Sequence, residues 1–382
     1  VSLTTSSSDY PAQTANKAVY NFGSGPGMMP PTVLKQAQAE MLDWNGTGIS
    51  VWEMPFTGQD FQAIADQARQ DLRELLNIPD HYRILFMQGG ASAQFSLVPL
   101  NLLLSNPKTG ADPKADYIET GYWSRKAIIE GSRYCQINIA ASGRSSDFIE
   151  IPSVADWRLN TQASYCHITS NETANGLQYS ELPNTGHVPL VVDMTSDFLS
   201  RPIDFQGIGL LYAGAQKNIG PAGLCIVIVR EDLIREPLSS TPSAFSYQVI
   251  EQNNGRFNTP LTYGIYLAGL VLKYFKAQGG LSEIQSLNKK KSNLLYEVID
   301  NNPFYHCAVS PAYRSQMNPC FTLVDAELTD RFVAQAGTRG LINLKGHSAK
   351  GGIRASLYNA MPLSGVLALA DFMAEFAEGC CS

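Results

Sequence analysis

Four short segments carry side chains that could do chemistry together. In Leu210-Leu211-Tyr212-Ala213-Gly214-Ala215-Gln216-Lys217-Asn218-Ile219-Gly220, a single lysine follows an apolar run and sits among small residues. Lysine seldom leaves water, because its charge must go with it. Where it does, the amine pKa falls and the neutral form becomes a nucleophile for Schiff-base chemistry. In Leu190-Val191-Val192-Asp193, an acid ends an apolar run 24 residues upstream. An acid placed there can pair with a protonated ring nitrogen and help that ring accept electrons. In Ile84-Leu85-Phe86-Met87-Gln88-Gly89-Gly90-Ala91-Ser92, two glycines and small residues join an apolar run to a helical pattern. Free N–H groups and the dipole at such a helix start suit a phosphate. No third glycine completes a dinucleotide fingerprint, and no Gly-Lys-Ser/Thr completes a nucleotide loop. Finally Gly121-Tyr122-Trp123 offers an indole that can stack on a planar ring. Each feature alone has a plainer reading: a loop lysine, a capping Asp, a turn without ligand, a core Trp. Their combination is what points to a site.

These residues need a frame that brings segment ends together. Apolar, β-rich runs at 84–87, 117–119, 137–140, 165–168, 190–194, 210–212 and 224–229 alternate with polar or helical stretches. That pattern predicts a mostly parallel sheet covered by helices, with ligands beyond the carboxyl ends of the strands. Helical spacing marks 31–44 and 59–76, then 262–294, and further helices near 326–337 and 364–378. Strands at 308–310, 320–324 and 353–356 among the last of these predict a smaller α+β lobe. The expected division is an arm over 1–20, a large domain over 21–265, whose first residues can pack with the small domain, and a small domain over 266–382.

A chain of 382 residues, 44% hydrophobic and 16% charged, can bury a large core in two lobes. A net charge of −6 and the lack of a basic stripe argue against a nucleic-acid partner; the run Lys289-Lys290-Lys291 reads as a solvated helix face. The seven cysteines form no C-x-x-C pair and suggest reduced thiols, with neither a disulfide framework nor a metal site. No signal-peptide pattern and no membrane-length apolar stretch is present, so a cytoplasmic setting is expected.

Ala215-Gln216-Lys217-Asn218-Ile219-Gly220-Pro221-Ala222-Gly223 resembles the lysine motif of the phosphoserine aminotransferases, class V enzymes of the fold-type I group. Asn21-Phe22-Gly23-Ser24-Gly25-Pro26, Gln88-Gly89-Gly90-Ala91-Ser92, Ser170-Asn171-Glu172-Thr173, Phe257-Asn258-Thr259-Pro260 and Gly351-Gly352-Ile353-Arg354-Ala355-Ser356 agree with it. The resemblance implies a transaminase dependent on pyridoxal 5′-phosphate, acting on small amino and 2-oxo acids. It implies a large domain with a mostly parallel seven-stranded sheet, a smaller α+β domain, and a homodimer with active sites at its interface. By matching motif, Lys217 carries the cofactor and Asp193 pairs with its ring nitrogen. Trp123 stacks on the ring, and Thr173 reaches its phenolic oxygen. Ala91, Ser92 and Gln216 hold its phosphate, joined by Asn258 and Thr259 of a second copy, while Arg354 takes the substrate α-carboxylate. Two positions depart from the family. Its usual His-Arg is Phe56-Thr57 here, and its Gly-His-Arg is Gly346-His347-Ser348. The resemblance makes these the distal-anion positions, so three readings stay open. They are a phosphoserine transaminase with a relocated cation such as His347, Lys345 or Lys350, a relative with a less anionic substrate and a pocket lined by Trp52 and Phe56, and a cofactor-binding protein without turnover.

Overall fold

In the computed structural model, residues 18–103 and 112–381 are described. The expected arm lies almost wholly outside them.

Seven strands form the central sheet in the order Tyr82–Gln88, Leu224–Arg230, Ile208–Gly214, Leu190–Asp193, Cys166–Thr169, Lys114–Glu119 and Gln136–Ser142. All run parallel except Leu224–Arg230, which is antiparallel to both of its neighbours. The alternation along that strand shows how the sheet is buried on both faces. Ile226 and Ile228 join one apolar cluster, while Cys225, Val227 and Val229 join the other. Helices Gly90–Leu102 and Tyr122–Gly131 cover the second face, supplying Phe95, Val98 and Ala127. Helices Gln59–Leu76 and Thr262–Ala277 cover the first and pack on one another.

The 59–76 helix matches its sequence pattern. Phe61, Ala65, Ala68, Leu72 and Leu76 bury one stripe; Asp60 opens it, Arg73 stands in its last turn, and Asn77 closes it at φ 50°. The helix expected over 31–44 stops at Ala39. Beyond it the chain closes a loop, with Trp44 N–H donating to the Ile49 carbonyl and Gly48 N–H to Asp43. The long helical stretch after 262 is two helices, Thr262–Ala277 and Gly280–Asn301, because Gly279 and Gly280 both take positive φ between them.

Toward the C-terminus, Tyr305–His306, Cys320–Leu323 and Ile353–Arg354 form a three-stranded antiparallel sheet. The first lies ahead of the expected 308–310. Helices Gly280–Asn301, Thr329–Thr338 and Leu363–Cys381 accompany it. Tyr20–Asn21 pairs in parallel with Leu341–Ile342, so the early chain is stitched to this part of the fold.

One expectation is overturned. Lys289 and Lys290 are exposed, but Lys291 is fully buried. Its ammonium donates to the carbonyls of Leu357 (2.9 Å), Tyr358 (2.9 Å) and Met361 (3.1 Å). Three acceptors call for the three N–H bonds of a protonated amine, while burial pushes its pKa down to about 7. Helical rotation of about 100° per residue separates it from its neighbours, and the same turn buries Asn288, Ser292 and Leu295.

Candidate active site

The carboxyl edge of the sheet gathers the predicted segments. Lys217 lies in the short loop between the adjacent strands Ile208–Gly214 and Leu224–Arg230. A pocket there is lined by Ala91, Ser92, Trp123, Thr173, Asp193 and Lys217, with Gln216 beside them. Lys217 is only 7% exposed, and its Nζ donates to Thr173 Oγ1 at 2.5 Å. Burial pushes its pKa from 10.5 to about 8, against the opposing pull of Asp193; Arg354 adds to the lowering. The amine also stands 6.0 Å from the centroid of the Trp123 ring.

Asp193 ends its strand, pairs across the sheet with Thr169 and Tyr212, and accepts the Thr195 N–H at 2.9 Å. Burial raises its pKa, although Thr195 and Lys217 oppose the rise. A buried carboxylate so placed gains from a cationic partner.

Trp123 stands in the first turn of Tyr122–Gly131. Its placement comes from Glu172, which sequence reasoning passed over. The Glu172 carboxylate accepts the N–H groups of Trp123 (2.8 Å) and Ser124 (2.9 Å). This is an acid at a helix N-terminus, fully buried. Gly121 has to be glycine here, since a β-carbon would stand 2.7 Å from Glu172 Cδ. The sequence clue was an acid in an otherwise uncharged stretch, Ser170-Asn171-Glu172-Thr173.

Arg354 ends the Ile353–Arg354 strand and donates to Ser24 Oγ at 2.7 Å. Tyr358 donates to the Ser24 carbonyl at 2.8 Å, so the Asn21–Gly27 loop is held against the site by the C-terminal segment. Ser24 too was missed, although its turn-dense loop was visible. A buried network of Asn318, Asn171, Ser196 and Ser356 ties these parts beneath the pocket. His347 packs on Tyr122 with ring centroids 4.4 Å apart; burial and then Arg354 lower its pKa.

Other predicted residues do not join this pocket within the chain. Asn258 and Thr259 are exposed; the Thr259 carbonyl accepts Gln88 Nε2 at 2.8 Å, and Asn258 lines a separate cleft with Gln88 and Gly89. Phe56 is half-buried against the core, and Thr57 and Ser348 are exposed. Trp52 is exposed and stacks on Tyr263 at 4.4 Å. Lys345 pairs with Asp330 at 2.8 Å, and Lys350 stands 3.8 Å from Asp147.

The pocket is built for a polar aromatic ligand. Trp123 Nε1, Thr169 Oγ1, Asn171 Oδ1 and Gln216 Oε1 are buried without hydrogen-bond partners. Such groups cost stability unless something satisfies them. Beside them the Gly89–Gly90 turn opens the Gly90–Leu102 helix with φ values of 97° and 64°, setting Ala91 and Ser92 in the first turn. A β-carbon on Gly214 would reach 2.6 Å from Gln216 Oε1 and 3.2 Å from Ala91 N, so this glycine keeps the cradle open. Together they fit a ring with polar substituents and a phosphate.

Comparison with known proteins agrees with this geometry. The family model "Aminotransferase class-V" matches residues 19–369. A phosphoserine aminotransferase of Nitrosomonas europaea is 51% identical over 370 residues, covering 95% of this chain and 99% of the relative. Among solved structures, the phosphoserine aminotransferase of Bacillus circulans subsp. alkalophilus superposes with a TM-score of 0.92 at 42% identity, covering 95% of this chain and 99% of that one. The PLP-bound phosphoserine aminotransferase of Trichomonas vaginalis does so with a TM-score of 0.88 at 37% identity, covering 94% and 100%.

Proposed function

Because this chain belongs to the class V aminotransferases, and among them to the phosphoserine aminotransferases, we propose that it transfers an amino group between phosphoserine and 2-oxoglutarate, with pyridoxal 5′-phosphate carried on Lys217. The observation that carries this reading is the buried amine of Lys217 between Trp123, Thr173 and Asp193, in a pocket with unsatisfied polar atoms.

Bound there, the cofactor supplies an electron sink for the carbanion at the substrate α-carbon. The chain supplies the rest. Lys217 Nζ, its pKa lowered to about 8 by burial, moves the proton off the substrate α-carbon and returns one on the far side of the transfer. Asp193 balances a positive ring nitrogen. Trp123, fixed by Glu172, covers the ring, and Thr173 meets the oxygen beside it. Ala91, Ser92 and Gln216 receive the phosphate. Arg354 takes the α-carboxylate with a planar fork, oriented by Ser24. The exposed Asn258 and Thr259 support a homodimer in which they serve the second copy's site. Residues 21–265 then act as the cofactor domain, its first residues packing with the small domain of 266–382. Among the described residues no helix is long and apolar enough to cross a membrane, and the described cysteines are free; the reading includes a cytoplasmic setting.

A second reading is a less anionic amino acid as substrate. It is favoured by Lys345 and Lys350 being turned onto Asp330 and Asp147, and by the lowered pKa of His347. Phe56, Thr57 and Ser348 bring no positive charge. Half-reactions of the cofactor-loaded enzyme with a panel of amino donors, followed by cofactor absorbance, separate the two. Phosphoserine reacting fastest supports the first; phosphoserine inert beside another reactive donor rejects it. Failure of every amino acid to react rejects transamination.

A further inference from the structure

A second cleft, of about 380 Å³, opens between the Gly280–Asn301 helix, the 311–316 segment and Arg201. It shares no lining residue with the Lys217 pocket. Its size is that of a small-metabolite site. Its charge is unusual for a chain of net charge −6: Arg201, Lys289 and Arg314 line it, and no described carboxylate does.

The three cations are not equally engaged. Arg314 is held by Asp300 at 2.7 Å and lies over the Tyr296 ring at 4.9 Å, which fixes its guanidinium plane. Lys289 is exposed and makes no ion pair among the described residues. Arg201 is the informative one. Its side chain is 11% exposed and its Nη1 stands 3.6 Å from Asp197 Oδ2, too far for a good hydrogen bond. Its Nη2 is buried and has no partner at all. A buried guanidinium donor left unpaired is costly, and Arg201, which lines the cleft, would relieve it by turning that donor toward an anion bound there. The amide of Gln285, also in the lining, can add a donor.

We propose that this cleft is a second anion site, one that takes a compact dianion, a phosphate monoester or a short dicarboxylate, between Arg201, Lys289 and Arg314. The site has a physical line to the cofactor pocket. Asp197, the weak partner of Arg201, accepts Gln178 Nε2 at 3.1 Å and lies 2.5 Å from the Ser170 hydroxyl. That hydroxyl stands 3.0 Å from the carbonyl of Asp193. An anion that draws Arg201 toward itself therefore acts on the support of the pocket acid.

Isothermal titration of the cofactor-loaded enzyme with inorganic phosphate, and separately with malonate, at constant ionic strength tests the proposal. The expected result is saturable binding of at least one of them, beyond any at the Lys217 pocket, that chloride does not reproduce. Lys289→Glu should weaken that binding at least tenfold and leave the bound-cofactor spectrum unchanged. Gln285→Glu, at a half-buried position of the lining, should do the same should the first variant fold poorly. For the component of binding that Lys289→Glu removes, phosphate outcompeting malonate assigns a phosphoryl ligand, and the reverse assigns a dicarboxylate. Absence of saturable binding, or binding of equal strength in wild type and both variants, overturns the site.

Discussion

Replacing Lys217 by methionine removes an amine that folding has forced into an apolar pocket, and the effect should be readable without any catalysis. The folded pKa of about 8 lies below the ordinary 10.5. Between these values the unfolded chain holds more protons than the folded one, so the wild type gains stability as pH rises through this window. A shift of about 2.5 units corresponds to roughly 3 kcal/mol in full, of which about 2–3 kcal/mol falls between pH 7 and pH 10. The methionine variant lacks this contribution but shares every other titrating group. Urea unfolding of both proteins, freed of cofactor and at equal concentration, should therefore show the wild type gaining about 2–3 kcal/mol on the variant over that range. The same shift leaves roughly 300-fold more neutral amine at pH 7 than an exposed lysine would have, which is what a nucleophile needs. A stability difference that stays constant from pH 7 to pH 10 would refute the claim that burial prepares the amine.

Three further perturbations have defined outcomes. Glu172→Ala strips the start of the Tyr122–Gly131 helix of the acceptor for two N–H groups and should cost about 2–3 kcal/mol in urea unfolding. It should also weaken cofactor binding through Trp123. Gly214→Ala pushes a methyl into Gln216 and Ala91 and should reduce pyridoxal phosphate affinity about tenfold, roughly 1.4 kcal/mol; an unchanged affinity in an absorbance titration would remove both residues from the phosphate cradle. Lys291→Met leaves three buried carbonyls without a donor and should cost about 2–4 kcal/mol by the same measurement.

The sheet was legible because its strands are short apolar runs bounded by breaks, and burial on both faces makes such runs stand out from the alternating pattern of a half-exposed sheet. Lys217, Asp193, Gly89-Gly90 and Trp123 were legible because each lies at or just beyond the end of one of those strands, where an α/β sheet presents its ligands. What escaped is what depends on contacts between distant segments. Glu172 acts on Trp123 from 49 residues away, and Ser24 on Arg354 from 330. Neither separation leaves a local periodic trace. Lys291 escaped because a run of three lysines suggests a single solvated surface, while helical rotation turns the last of them into the protein. The placement of Phe56 and Thr57 outside the pocket is likewise invisible to spacing, whereas the family resemblance assigns Asn258 and Thr259 to a second copy's site.

The strand Leu224–Arg230 has a mechanical consequence. Because it runs back beside Ile208–Gly214, residues 215–223 are the tip of a hairpin, pinned where Gly214 faces Cys225 and where Ala215 N–H meets the Leu224 carbonyl at 2.9 Å. A lysine at the head of a strand-to-helix crossover could tilt with its helix. This one is clamped on both flanks by strands that are each paired on both sides within the sheet. The orientational freedom that aiming an amine would otherwise forfeit at each turnover has already been given up during folding. Lengthening that tip by even two residues would leave the pocket's composition intact and still blunt the enzyme.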